Sequence, residues 1–214
     1  MPILPMNRLG ARETAPNVID FGVLLPRVDP SRGTLAIKIL HENDQFLKNA
    51  APVTVPMTHS IDPQYGDYWS ASIDIRTQPG SGASWGTPGR YVYRYVFRMN
   101  NGSEIDWIID PCAREFGIGK LSAITVGYRD YVWSANEAQW RTPHIHDLVI
   151  YELMIQEFGG TIDGTIERLP YLADLGVNCL EIMPLSNVAE SLDWGFLPLA
   201  HFGVDERFGN RGRL

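Results

Sequence analysis

The sequence is poor in cysteine, has no surplus of positive charge and contains no long apolar run. Its two cysteines, Cys112 and Cys179, lie far apart and outside any Cys-x-x-Cys pattern. This spacing argues against a disulfide framework or a zinc site and favours two buried free thiols in a reducing compartment. The formal net charge of −7 argues against nucleic acid or an anionic membrane as a partner, because both require a basic surface.

No hydrophobic stretch is long enough to direct the chain to a membrane or to anchor it there. The start of the chain lacks the apolar run of a signal peptide, and no later stretch approaches the length of a membrane span. We therefore expect a cytoplasmic protein. The 214 residues, of which 44% are hydrophobic, suffice for the cores of one or two globular domains.

The first half of the chain is dominated by alternation of apolar and polar residues. Residues 1–17 are polar and contain proline, which predicts a flexible arm. From residue 18 to 111, short alternating segments are separated by turn residues, a pattern typical of a β-sandwich. The clearest segment is Arg90–Met99, whose odd-numbered positions are aromatic or Met and are predicted to face the core. Asn100–Gly102 then predicts a hairpin turn.

Beyond residue 111 the pattern changes twice. Residues 112–146 show no clear period but are too aromatic for a free linker, so we expect an ordered connector packed between two domains. Further on, two apolar runs, Leu148–Ile155 and Val177–Leu185, flank a segment with helical spacing. This order predicts a strand–helix–strand unit with two parallel strands in residues 147–214.

Two residues of this unit predict how its helical segment is built. Pro170 should kink the segment or divide it into two short turns, because proline lacks a backbone N–H and clashes with the preceding turn. Gly176 should supply the left-handed cap that ends the helix.

Aromatic residues gather just beyond the second apolar run, in the stretch "DWGFLPLAHF". Ligands of parallel α/β proteins meet the loops that follow the carboxyl ends of the strands. Trp194 and Phe196 could cover the C–H face of a sugar ring, or any other flat apolar ligand, while polar neighbours bind its hydroxyl edge. The alternative is that Trp194 and Phe202 pack the loop against the protein, and the pattern alone supports both equally.

A series of short motifs spans residues 149–209. They are Val149–Glu152, Gly164-Thr165, Tyr171-Leu172 with Leu175–Val177, Met183-Pro184, Trp194–Phe196 and Phe208-Gly209. In this order the motifs resemble the start of the catalytic barrel in the α-amylase superfamily, glycoside hydrolase family 13. The resemblance implies an α/β fold that is an incomplete (β/α)8 TIM barrel, of which the chain holds the first two βα units only.

The region upstream resembles the N-terminal immunoglobulin-like domain of branching, debranching and trehalohydrolase members, of the family 48 carbohydrate-binding type. The similar residues are Phe21–Asp29 and the exit at Asp110-Pro111. The resemblance implies an all-β, immunoglobulin-like sandwich and an α-glucan partner such as starch, glycogen or maltooligosaccharide. Together the two resemblances imply the N-terminal portion of an α-glucan-active glycoside hydrolase or transglycosylase with a retaining mechanism.

The resemblance also bears on the substrate contacts, which we predict for Trp194, Phe196, Asn187 and His201. Asn187 falls where some family members carry an asparagine, and His201 is a residue that more often packs a loop. Phe196 stands where the family has tyrosine, so the ring face is kept and the hydroxyl is lost. Met154 likewise stands where the family commonly has histidine.

No catalytic residue, metal ligand or cofactor is assigned. Retaining glycosidases use two carboxyl groups about 5–5.5 Å apart, and in this family they lie beyond barrel strands four and five, with a third acidic residue after strand seven. Glu152 and Glu181 lie within predicted strands and are interpreted as structural, while Glu157 and Asp193 receive no role. Because the sequence stops after the second strand, we expect an inactive fragment or truncated product whose open sheet edge favours self-association.

A second hypothesis gives the function to the sandwich. The chain would then be a non-catalytic α-glucan-binding or structural module. Trp69, Trp85 and Trp107 could form a sugar platform on it, although two core tryptophans and one loop ring are the favoured interpretation.

Overall fold

The structure is a computed structural model that describes residues 4–26, 28–128, 131–189 and 194–209. The chain divides into two units. The first contains residues 1–128 and 200–203, and the second contains residues 129–199 and 204–214.

In the described part of the first unit, ten strands form two antiparallel sheets. The strands are β1 (Gly10–Ala15), β2 (Val18–Leu24), β3 (Gly33–His41), β4 (Val53–Pro56), β5 (Thr58–Asp62), β6 (Gly66–Asp74), β7 (Gly89–Met99), β8 (Glu104–Ile108), β9 (Glu115–Gly117) and β10 (Leu121–Val126). One sheet has the order β1-β2-β6-β5. The other has the order β4-β3-β7-β10-β9, and β8 also pairs with β7.

The core of this unit lies between the inward faces of the two sheets. Strand β7 alternates as predicted, so that Tyr91, Tyr93, Tyr95 and Phe97 are buried against residues of both sheets. The turn after β7 leads into β8, with Gly102 at a φ of 90°, as the hairpin prediction requires. The β-rich character predicted for this region is therefore confirmed.

Two boundaries differ from the prediction. Gly10–Ala15 is not a flexible arm, because it forms β1 and pairs with β2 across a turn in which Asn17 has a φ of 67°. The sheets also continue past residue 111 through β9 and β10, within the predicted connector. The alternation of β10 is hidden because Ser122 is buried inside it, where its hydroxyl oxygen accepts a hydrogen bond from the Asp110 N–H at 2.9 Å.

A buried carboxylate closes the sandwich. Asp110 is fully buried and accepts hydrogen bonds from the hydroxyls of Tyr93 and Tyr95, at 2.7 and 2.8 Å, and from the Cys112 N–H at 2.8 Å. Burial raises the pKa of Asp110 above that of an ordinary carboxyl group. Cys112 is a buried free thiol, as predicted, whereas the free thiol of Cys179 is half-buried.

In the residues that the structure describes, the second unit contains two parallel strands, four short α-helices and a 3-10 turn at Ile145–Asp147. The strands are β11 (Ile150–Leu153) and β12 (Cys179–Ile182). The helices are α1 (Ala135–Ala138), α2 (Ile155–Phe158), α3 (Ile162–Ile166) and α4 (Leu169–Asp174). The predicted strand–helix–strand order is thus present, with Pro170 at the first turn of α4, where its missing N–H costs no hydrogen bond.

Helix α4 ends in a glycine cap. Gly176 has a φ of 88°, its N–H bonds to the Ala173 carbonyl, and the Val177 N–H reaches back to the Leu172 carbonyl. This pair of bonds satisfies carbonyl groups that would otherwise lack partners, and it confirms the predicted cap.

The core of the second unit is small. Among the described residues, its buried apolar cluster consists of Leu153, Ile155, Ile162, Leu172 and Phe208. Strand residues Ile150, Tyr151 and Ile182 remain largely exposed, in contrast to the strands of a parallel sheet that is covered on both faces. No helix in the described ranges has the length and apolar character needed to cross a membrane.

Candidate functional site

The aromatic segment Trp194–Leu199 is held by a small paired stem beyond β12. Isolated bridges join Ser186 to Val204 and Val188 to Pro198. The Leu199 N–H also donates to the Asn187 carbonyl at 2.8 Å. The stem fixes both ends of the segment, so the rings are held at the carboxyl end of the strand pair.

Trp194 adopts a strained backbone conformation. Its φ is 47°, and the next residue, Gly195, has a φ of 86°. Only glycine fits at the second position, because a Cβ there would lie 2.3 Å from the Pro184 carbonyl oxygen. The indole of Trp194 is nevertheless 57% exposed. A strained residue that leaves a large ring in solvent is typical of a functional surface.

The cleft beside Trp194 is too small for a sugar. It is lined by Met154, Met183, Pro184 and Arg207, among others, and its volume of about 10 Å³ has room for roughly one water molecule. Phe196, two residues after Trp194, is also exposed, by 60%.

Asn187 does not belong to this exposed surface. It is completely buried. Its side-chain NH2 group donates to the Glu206 carboxylate, and its backbone carbonyl accepts from the Leu199 backbone N–H. The structure thus corrects its assignment as a substrate contact, because the residue supports the stem of the aromatic segment and cannot be reached from solvent.

His201 lies in residues 200–203, which belong to the first unit. Its side chain and that of Phe202 are exposed. The neighbouring Ala200 is buried against Ala113 and Phe116 of the same unit. The loop is therefore fastened through Ala200, and neither His201 nor Phe202 is the residue that packs it down.

Arg207 is a polar neighbour of Trp194 that the sequence did not suggest. Its guanidinium donates to both carboxylate oxygens of Asp205, at 2.8 and 2.9 Å, and Asp205 is fully buried. The hydrogen bond to Asp205 raises the pKa of Arg207. The Asp-x-Arg spacing is the available signal, but it indicates the ion pair and not the neighbouring ring.

Three of the four acidic residues considered for catalysis lie in the part of the chain that the structure describes. Glu152 and Glu181 are exposed neighbours across β11 and β12, and Glu157 is exposed in α2. Asp193 lies outside the residues that the structure describes. Nothing in this arrangement assigns a catalytic role to any of them.

The three sandwich tryptophans have different environments. Trp69 belongs to the core, and Trp85 is half-buried, with its indole N–H donating to the Gln78 carbonyl at 2.9 Å. Trp107 is 61% exposed and has a φ of 64°. The interpretation of these residues as core tryptophans therefore holds for Trp69. Trp107, like Trp194, combines an exposed ring with a strained backbone.

Charged side chains brace Trp107. The Arg94 guanidinium lies 4.0 Å from the centre of the Trp107 ring. Arg94 and Lys38 both bind Asp106, at 2.8 and 2.7 Å. Partial burial alone would raise the pKa of Asp106. The two hydrogen bonds outweigh this effect and hold its pKa well below the usual range. Trp107, Arg94 and Lys38 line an open cleft of about 220 Å³ together with the exposed ring of Phe46.

The sequence relatives are enzymes of α-glucan and trehalose metabolism by name, although no family model matches the chain. The chain is 33% identical over 118 residues to malto-oligosyltrehalose trehalohydrolase of Saccharolobus solfataricus. The aligned region covers 54% of this chain and 20% of that relative. The chain is also 33% identical over 135 residues to the 1,4-alpha-glucan branching enzyme GlgB 1 of Xanthomonas axonopodis pv. citri, covering 57% and 18%. The chain thus spans about a fifth of the length of these relatives.

Similar folds occur in two pullulanases. The structure of pullulanase complexed with maltotriose from Anoxybacillus sp. LM18-11 matches 94% of this chain and 29% of its own, with a TM-score of 0.63 and 19% identity. Apo pullulanase from Paenibacillus barengoltzii matches 94% and 32%, with a TM-score of 0.59 and 18% identity. At these identities the likeness concerns the fold alone. The names of the sequence relatives fit the resemblance of this chain to the N-terminal part of α-amylase-superfamily enzymes, glycoside hydrolase family 13.

Proposed function

We propose that the chain is the N-terminal portion of an α-glucan-active glycoside hydrolase or transglycosylase, and that Trp194 and Phe196 contact the glucan. In this proposal β11 and β12 are the first two strands of a (β/α)8 barrel. The observation that carries it is the strained and exposed Trp194 at the carboxyl end of the second parallel strand.

The position of this ring supports the proposal. Met154 follows β11 directly and Met183 follows β12, and both line the same cleft as Trp194. The ring therefore lies beyond the carboxyl ends of both parallel strands, where α/β barrels bind their substrates.

The chemistry of the surface suits a glucosyl residue. The apolar faces of Trp194 and Phe196 cover C–H groups, and the Arg207 guanidinium offers hydrogen-bond donors to hydroxyl groups. Asp205 holds that guanidinium in place, which reduces the entropy lost on binding. The proposal gives this chain substrate contacts and assigns it no catalytic step.

The binding part is tested with maltoheptaose. We expect Trp194→Ala and Phe196→Ala to weaken binding measured by calorimetry about tenfold each, equivalent to about 1.4 kcal/mol. Leu175→Ala is the matched control, because Leu175 is an equally exposed apolar residue of the same unit. Unchanged affinity in both ring variants, or no binding by the parent chain, would contradict the proposal.

The catalytic part is tested separately on soluble starch and maltooligosaccharides. We expect the 214-residue chain to release no reducing sugar and to transfer no glucan segment. Turnover that survives repurification would contradict this part while leaving the binding part untouched.

The alternative, a non-catalytic glucan-binding module, is favoured by Trp107. Its exposed ring, together with Phe46 and the Arg94–Asp106 pair, offers a second apolar surface with hydrogen-bonding groups. Retardation in a native gel containing glycogen separates the two candidates. If Trp107→Ala abolishes retardation and Trp194→Ala does not, the binding-module hypothesis replaces the proposal that Trp194 and Phe196 contact the glucan. The control is Ile105→Ala, because Ile105 is another exposed apolar residue of β8.

Two further proposals concern the state of the protein. Among the described residues β11 and β12 pair only with each other, and their outer edges, with the exposed Ile150 and Ile182, support self-association of the chain. The two free thiols, Cys112 and Cys179, support a reducing compartment and hence a cytoplasmic location, which cell fractionation tests.

A further inference from the structure

A single helical turn in the second unit carries two exposed tryptophans. Helix α1 is closed by a capping box, in which Ser134 accepts from the Glu137 N–H at 3.2 Å and Glu137 accepts from the Ser134 N–H at 2.7 Å. Trp133 directly precedes the cap. Trp140 follows the helix, and its backbone N–H donates to the Glu137 backbone carbonyl at 3.1 Å.

Both indoles are held in solvent. Trp133 is 73% exposed and Trp140 is 63% exposed. The ring of Tyr131 packs edge-on against Trp133, at 5.2 Å between centres, and its hydroxyl donates to Glu137. The two indoles line an open cleft of about 300 Å³ together with Asn136 and Glu137. This volume lies at the lower end of the range for small-molecule sites.

We propose that this cleft, the tryptophan clamp formed by Trp133, Asn136, Glu137 and Trp140, binds a glucosyl residue. The indole faces would cover the C–H groups of the pyranose ring. The Glu137 carboxylate accepts hydrogen bonds from sugar hydroxyls, and the Asn136 amide can both donate and accept. The choice of glucose rests on the proposed function, but the clamp is a site separate from Trp194.

The polar part of the clamp decides between a sugar and an apolar protein partner. Hydrogen bonds from Tyr131 and Ser134 lower the pKa of Glu137, so the group is a carboxylate at neutral pH. An apolar partner seated on the two indoles would remove water from this charge without replacing its hydrogen bonds, which costs free energy. A sugar supplies hydroxyl donors at the same place.

The test uses the full chain and maltoheptaose, with saturation-transfer NMR and retardation in glycogen gels as measurements. We expect Trp133→Ala and Trp140→Ala each to weaken binding about tenfold. Glu137→Gln should cause a smaller loss, because the glutamine oxygen can still accept from the Ser134 N–H in the capping box, although the charge and the acceptor for the Tyr131 hydroxyl are lost. Ile145→Ala is the matched control, since Ile145 is also 73% exposed and lies in the same segment.

The outcomes separate this inference from the proposed function. If the parent chain binds and the clamp variants bind equally well, the clamp fails and the proposed function stands. If Ile145→Ala weakens binding as much as Trp133→Ala, the surface acts through nonspecific apolar contact and the clamp fails. If Trp194→Ala leaves residual binding that Trp140→Ala then removes, the clamp is supported as a second site.

Discussion

At the scale of single residues, two of the largest side chains occupy backbone conformations that favour glycine. Trp107 and Trp194 both have a positive φ, and both are more than half exposed. For an L-residue this conformation costs roughly 1–2 kcal/mol. Burial of the ring offsets little of this cost, because both residues are more than half exposed. For Trp107 the contact of its ring with the Arg94 guanidinium opposes the cost. Both tryptophans are positions at which we propose glucan contacts.

Trp194→Gly and Trp194→Ala should therefore differ in stability. We expect the glycine variant to be more stable than the alanine variant by about 1 kcal/mol, because only glycine tolerates the left-handed backbone without strain. Urea unfolding of the two variants measures the difference. Both should bind glucan equally poorly, since both lack the ring. An alanine variant as stable as the glycine variant would show that the backbone is not strained.

Asp110 gives the sandwich a pH-dependent stability. Its pKa in the folded state is raised by burial above the unfolded value of about 3.9. Folding thus favours the protonated form, and its contribution is fully present below the unfolded pKa and is lost as pH rises through the folded pKa.

We expect wild type to lose stability relative to Asp110→Asn as pH rises from about 4 toward neutrality. Asparagine is neutral and can still accept from Tyr93 or Tyr95, so it keeps much of the buried network. Urea unfolding of both proteins across this pH range gives the comparison. Parallel stability curves would mean that the carboxyl group titrates alike in both states.

At the scale of elements, local chemistry was predictable and distant pairing was not. The alternation of β7, the turn after it, the division at Pro170 and the cap at Gly176 each depend on neighbours within one or two turns of chain. Strands β1 and β10 were missed because their pattern is short or masked by a buried serine. At the site, the exposed rings of Trp194 and Phe196 were predicted. The burial of Asn187 and the position of Arg207 depend on the stem, which no local pattern encodes.

The glycine cap of α4 can be tested by itself. Gly176→Ala should destabilise the second unit by about 1 kcal/mol, because alanine resists the φ of 88°. Hydrogen exchange at the Val177 amide, which bonds to the Leu172 carbonyl, should accelerate about fivefold, while amides of β7 keep their rates. Equal acceleration in both places would indicate that the two units unfold together.

At the scale of the whole molecule, exposed apolar side chains are unevenly distributed. Most of the large ones among the described residues belong to the second unit, whose buried core is small. Apolar surface next to unpaired strand edges favours association with another chain.

We therefore expect the protein to elute as a dimer or larger species whose proportion rises with concentration. Ile150→Lys with Ile182→Lys should shift it to monomer, because charges on edge strands oppose pairing. Ile166→Lys, at an exposed position of α3, is the control. Light scattering that gives a monomer mass for the parent chain at every concentration would refute the association.

The unequal burial of the two cysteines has a practical consequence. Burial raises the pKa of the Cys112 thiol to about 11, so almost none of it is the reactive thiolate at neutral pH. Cys179 is half-buried at the start of β12. A maleimide dye should therefore label the unsubstituted protein at Cys179 alone. A change in the dye's emission would then report whether β12 becomes covered on binding of glucan or of a second chain.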